Sequence, residues 1–162
     1  MLNIFKRKEW DYNVYAPVDG QLITLESVND GVFSEKMLGD GCAFSITDGM
    51  ICAPITGTVT AVFPSKHAIG ITADSGLEVL VHVGLETVAM NGKPFLQYVM
   101  EGQKVKAGKP VLFADMKMIV ENGSAPLVIM VVTNSKSFEI IERSELKTVA
   151  TGEKVFAVRL KR

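Results

Sequence analysis

The stretch that decides the fold is Gly76-Leu77-Glu78-Val79-Leu80-Val81-His82-Val83-Gly84-Leu85-Glu86-Thr87-Val88. As a half-buried strand it sends Leu77, Val79, Val81, Val83 and Leu85 to one face and Glu78, Leu80, His82 and Gly84 to the other. The imidazole therefore stands off the main apolar row, beside a glycine where a ligand or a second backbone can come close. A lone histidine is most often a satisfied surface or core residue, so the neighbouring segments decide its meaning.

The only other histidine is His67, in Phe63-Pro64-Ser65-Lys66-His67-Ala68-Ile69-Gly70-Ile71-Thr72-Ala73, and Asp74-Ser75-Gly76 supplies turn chemistry between the two segments. They read as a hairpin. A Ser75-Gly76 loop sets His82 opposite Ile69 with His67 as its diagonal neighbour; an Asp74-Ser75 loop sets the two histidines directly opposite. A three-residue loop without a compensating bulge puts them on opposite faces, so register carries the expectation. Two imidazoles converging on one face is a chemical signal.

Working outward, short β-prone runs recur every eight to twelve positions: 21–25, 42–46, 50–53, 58–63 and the two histidine segments. Leu127 to Val132 is a continuous apolar run short enough for a strand buried on both faces, and Lys154 to Leu160 is a last strand. The spacing predicts an all-β fold: an antiparallel β-sandwich or barrel of short strands with hairpin and Greek-key-like connections. One or two short helical turns interrupt it, one at Glu86 to Asn91 and one after Asp115, which can N-cap residues 116–120. Ala16-Pro17-Val18-Asp19-Gly20-Gln21-Leu22 and Ala53-Pro54-Ile55-Thr56-Gly57-Thr58-Val59 form a faint internal repeat of a turn and its following strand.

At 162 residues the chain fits one domain with a sizeable core, and a formal charge of -1 offers no polyanion footprint, which excludes nucleic acid as an expected partner. Met1 to Trp10 mixes apolar and basic residues over too short a span for a signal or a membrane helix. Residues 1–13 are expected to be a flexible tail with at most peripheral membrane contact, and residues 14–162 a single domain. Cys42 and Cys52 form no C-x-x-C and are read as reduced, in a cytoplasmic protein. Zinc held by Cys42, Cys52, His67 and His82 is the sharper alternative, but the spacing matches no finger or ribbon.

The run around His82-Val83-Gly84-Leu85-Glu86-Thr87-Val88 closely resembles the signature of the glucose-type IIA components of the bacterial phosphoenolpyruvate-dependent sugar phosphotransferase system. Ala16 to Gly20, Gly39-Asp40-Gly41, Ala53 to Gly57, Glu101 to Val105 and the final strand resemble it too, over roughly residues 14 to 161. The resemblance implies a phosphocarrier domain: His82 would accept a phosphoryl group from the carrier protein HPr and pass it to a cysteine of the IIB domain of a sugar permease (IICB). It is thus a phosphotransferase, without a cofactor. His67 would contact the phosphate, Ser65 would orient His67 in place of the family's usual threonine, and the Gly84 carbonyl would fix the Nδ1 proton of His82. The family also allows a zinc ion between His67, His82 and a partner's carboxylate, and regulated metabolic proteins as further partners. The docking surface implied by the match is Asp40, Cys42, Phe44, Ile46, Phe63, Ala68, Leu80 and Glu86.

Two rivals come from other classes. Gly102 to Val111 followed by Met116-Lys117-Met118 resembles the attachment segment of biotinyl or lipoyl carriers, with Lys117 as the modified residue, although Ala114-Asp115 departs from that pattern and the His82 signature goes unexplained. A non-catalytic regulatory binding module is the third reading, and phosphate on His82 separates it from the first.

Overall fold

The structure, a computed structural model, describes residues 10–162. The amphipathic start of the expected tail, with its membrane-surface reading, lies outside the described residues. The strands are β1 (Asn13–Tyr15), β2 (Gly20–Ile23), β3 (Asp40–Ser45), β4 (Met50–Cys52), β5 (Gly57–Val62), β6 (Ala68–Thr72), β7 (Glu78–Val83), β8 (Phe95–Gln97), β9 (Lys104–Val105), β10 (Pro110–Ala114), β11 (Leu127–Val132), β12 (Phe138–Arg143), β13 (Thr148–Val149) and β14 (Lys154–Leu160). Asn13, placed in the tail by sequence, instead opens β1 opposite Ala157, and the Tyr12 carbonyl accepts from Val158 N–H at 2.9 Å. These bonds tie the chain to the domain slightly earlier than the sequence suggests.

One eight-stranded sheet runs β13-β2-β3-β11-β7-β6-β5-β9, and two three-stranded sheets run β1-β14-β12 and β4-β10-β8. The pairings are antiparallel. The main core fills the space between the large sheet and the small ones, with Val79, Val81, Val83, Phe44, Ile51, Met130 and Phe156 among its members. A second cluster lies on the outer face of the large sheet, where Leu25, Val28 and Phe33 of the β2–β3 connection cover Ala43, Ile129 and Val131. That outer cluster positions the histidines.

The faint repeat is a structural duplication. Tyr15 N–H donates to the Pro54 carbonyl at 3.0 Å, and Cys52 N–H to the Pro17 carbonyl at 2.7 Å, a reciprocal pair. Each corner is then clasped by its own turn: Ala16 N–H bonds Glu153 O at 2.7 Å and Gly152 N–H bonds Ala16 O at 2.9 Å, matched by Ala53 N–H to Lys109 O and Gly108 N–H to Ala53 O, both at 2.8 Å. The clasping segments, 101–114 and 145–158, are themselves a repeat that shares Glu101 with Glu145, Val105 with Val149, Gly108 with Gly152 and Val111 with Val155. Their strands β9 and β13 form the two edges of the large sheet.

The helical turns lie where expected. Residues Thr87–Met90 form a 3-10 turn, and Met116–Glu121 an α-helix whose N-cap Asp115 accepts from Met118 N–H at 3.1 Å. A third turn, Glu26–Val28, lies in the β2–β3 connection.

Candidate active site

His82 is on the outer face of β7, in a row that runs across four strands as Ala43, Ile129, His82 and Ala68. The imidazole is flanked by Ile129 on one strand and by the small Ala68 on the other. Phe33 descends from the β2–β3 connection onto the ring, with centroids 4.9 Å apart at 58°. The loop is set for this by Asp30, whose carboxylate accepts the N–H groups of Val32, Phe33 and Ser34 at 3.0–3.2 Å. Its far end is tied down by a chain of ion pairs, Glu26 to Lys36, Lys36 to Asp40 and Asp40 to Arg143.

His67 meets His82 edge to face, centroids 4.9 Å apart at 77°. The convergence comes about in an unexpected way. Ala68 pairs with His82, so the hairpin has the register of a three-residue loop, Asp74-Ser75-Gly76, and neither two-residue loop forms. Gly76 N–H closes the turn on Ala73 O at 2.9 Å, and Gly76 itself takes φ of +92°, the left-handed residue that such a loop requires. That register places His67 out of phase with His82 in a regular strand. His67 instead precedes β6 and follows Lys66, whose φ of +57° swings the chain so that the ring reaches the outer face. Ser65 Oγ and His67 Nδ1 lie 2.7 Å apart, and Phe63 covers the other side of His67 at 5.4 Å between centroids.

Burial, and secondarily the neighbouring His67, hold the His82 pKa down to about 4, against weaker opposing pulls from the Gly84 backbone and Asp30. Burial lowers His67 as well. Both rings are neutral at pH 7. His82 Nδ1 is sealed from solvent without a partner of ordinary hydrogen-bond geometry, and the nearby Gly84 backbone weakly favours its charged form. Gly84 sits at φ +72°, and a Cβ there would meet Thr87 Cγ2 at 2.5 Å; Thr87 in turn donates from Oγ1 to the Val83 carbonyl. No side chain larger than glycine fits this corner without displacing the turn.

A family model described as phosphoenolpyruvate-dependent sugar phosphotransferase system, EIIA 1, matches residues 12–138. The chain belongs to this family. A glucose-specific EIIA component of Staphylococcus epidermidis is 40% identical over 150 residues, which span 91% of this chain and 90% of that one. A glucose-specific EIICBA component of Streptococcus pneumoniae is 42% identical over 153 residues, and there the chain covers 94% of itself but only 21% of the fused relative. The solved glucose permease IIA of Mycoplasma capricolum superposes with a TM-score of 0.80 at 37% identity, covering 91% of this chain and 96% of that one. As an EIIA protein the chain is a phosphotransfer component of the sugar phosphotransferase system.

The EIIA docking surface expected from sequence is only partly at the surface. Cys42, Phe44 and Ile46 are 6%, 0% and 3% exposed and belong to the main core. The period of two in β3 turns them inward and leaves Ala43 on the histidine side. Ala68 is buried beside His82, and Leu80 is half-buried on the same face. Phe63 and Glu86 are exposed, and Asp40 is engaged by Arg143 and Lys36. The exposed apolar residues are instead Val32, Met37 and Leu38 of the connection that carries Phe33, with Val88 after β7. Their signal in the sequence is two apolar pairs inside an otherwise polar, turn-rich loop.

Placement separates the residues on which the zinc and carrier readings drew. Cys42 faces the core and the histidines face outward, and among the described residues no three His, Cys, Asp or Glu side chains gather as metal ligands. Lys117 is on the exposed side of a short helix, 4.0 Å from Glu121. Among the described residues no helix is long and apolar enough to cross a membrane.

Proposed function

We propose that His82 is the phosphoryl acceptor, receiving the group from a phosphohistidine of HPr and donating it to a cysteine of a IIB domain. The observation that carries this is the pair of neutral imidazoles set edge to face on the outer sheet face, one with its Nδ1 sealed and the other with its Nδ1 held by a hydroxyl. A neutral imidazole offers a lone pair, and sealing Nδ1 leaves Nε2 of His82 as the attacking atom. In the transfer the new Nε2–P bond forms as the donor N–P bond breaks, and the Nδ1 proton stays on His82. Positive charge on that ring then draws the Gly84 carbonyl into a full hydrogen bond, which fixes the proton away from the reacting side.

His67 serves the phosphoryl oxygens. With Ser65 Oγ–H donating to Nδ1, the His67 proton sits on Nε2 and donates to the phosphate. No cofactor takes part. A zinc ion would find two imidazole ligands here and would need a carboxylate lent by a partner to complete even a three-ligand site. Val32, Met37, Leu38, Phe63 and Val88 form the apolar collar on which HPr and the IIB domain dock, with Glu86 as a charged rim residue.

The test is transfer of radiolabelled phosphate from phosphoenolpyruvate through Enzyme I and HPr. Label is expected on wild type and on His67→Ala and absent from His82→Ala; label on folded His82→Ala would remove the assignment.

A further inference from the structure

A cavity of about 810 Å³ lies at the far end of the β6–β7 hairpin from the histidines, roughly 20 Å along the strands. Its walls are Trp10 and the start of β1, the Ile55–Thr58 corner, the Ala73–Ser75 hairpin tip and the turn from Lys104 to Lys109. The volume suits a small organic molecule. Ile55, Ala73 and Val105 make part of the lining apolar.

Lys104, Lys106 and Lys109 share one wall, and none has an ion-pair partner among the described residues. Elsewhere Lys36, Lys117, Arg143, Lys147, Lys154 and Arg159 each meet a carboxylate, and the other described lysines without an ion pair, Lys66, Lys93, Lys136 and Lys161, do not line this cavity. Of the two acids in the lining, Asp11 is engaged by Tyr15 Oη at 2.7 Å and Asn13 N–H at 3.0 Å, and Asp74 lies across the cavity at the hairpin tip.

Lysines on an edge strand commonly serve only to discourage edge-to-edge pairing. The internal duplication tests that explanation within the molecule. The other edge, β13, keeps the same backbone clasp with Thr148, Ala150 and Glu153 at the positions of Lys104, Lys106 and Lys109. The scaffold therefore does not require the cations. Three like charges on one wall, none of them ion-paired, repel one another unless an anion joins them.

We propose that this cavity binds a small organic anion, its phosphate or carboxylate held by Lys104, Lys106 and Lys109 and its apolar body against Ile55, Val105 and Trp10. Lysine ammonium groups bind such oxyanions as point charges without fixing one geometry. The site is separate from the phosphoryl-transfer site and does not depend on its assignment.

Trp10 is the only tryptophan in the chain and lines the cavity, so its fluorescence reports occupancy directly. The full chain is titrated with phenyl phosphate, benzoate, inorganic phosphate and benzyl alcohol. The comparison variant is Lys104→Thr, Lys106→Ala, Lys109→Glu, which copies the other half of the molecule, with a urea melt as its folding control. Phenyl phosphate or benzoate is expected to give a saturable change that weakens about tenfold or more in the variant and falls with added salt, with benzyl alcohol and inorganic phosphate binding more weakly. The proposal is overturned by no saturable response to either organic anion, by equal affinity in the variant, or by inorganic phosphate binding as tightly as phenyl phosphate, which would mean an adventitious ion only.

Discussion

The two faces of β7 have opposite fates. Inward, Val79, Val81 and Val83 are 1%, 2% and 0% exposed and supply apolar volume to the main core. Outward, Leu80, His82 and Gly84 share a face with Ile129, Val131 and Ala68, under the loop that carries Phe33. The comparison shows stability and chemistry carried by alternate residues of one strand, so substitutions one position apart should fail in different ways.

The largest separation is expected between His82→Ala and Val81→Ala. The first lowers phosphoryl acceptance by about three orders of magnitude or more while changing unfolding free energy by less than about 1 kcal/mol. Labelling beside a urea melt measures both. Acid sharpens the same contrast. In the folded chain His82 resists protonation down to about pH 4, whereas an unfolded histidine charges near 6.5. Between those values the unfolded chain binds the extra proton, so this contribution is whole above pH 6.5 and is lost as pH falls towards 4, on the order of 3 kcal/mol. His67 adds in the same direction. Between pH 7.5 and 5 wild type should lose about 2 kcal/mol more than His82→Ala, enough to reverse their order of stability, and equal acid slopes would show that His82 is not held neutral.

Val81→Ala should cost about 2 kcal/mol and leave transfer per folded molecule unchanged. Phe33→Ala opens the outer face to water, and the His82 pKa should climb from about 4 towards 6.5 in an NMR titration. Ser65→Ala is the smallest step. Acceptance stays normal, onward transfer to the IIB domain falls several-fold, and unchanged onward transfer would leave Ser65 without a role.

Much of the fold and the histidine pair was legible because hydrophobic period and turn residues act locally. The run 127–132, the Asp115 cap and the last strand appear where the pattern places them. The register did not, because Asp74-Ser75-Gly76 suits two loop lengths and only the finished ladder chooses between them. The swing of His67 was also hidden: a lysine at positive φ is uncommon, and nothing in Ser65-Lys66 announces it. The collar was misread for a different reason. Alternation in β3 separates Cys42, Phe44 and Ile46 from Ala43, but which set faces the histidines depends on β11, far along the chain. The second repeat escaped because Val105 and Val149, Gly108 and Gly152, and Val111 and Val155 match only as spaced positions.

The duplication has a consequence in time. Both corners lie in the first part of the chain and both clasping turns come much later, so Ala16 cannot meet Glu153 until synthesis has passed residue 153. At roughly 5–20 residues per second, the first corner waits on the order of ten seconds on the ribosome for the segment that closes it. Until then its β1 and β2 edges lack their partners β14 and β13. The domain completes its fold only once β14 has emerged, and whatever protects those bare edges meanwhile acts during synthesis.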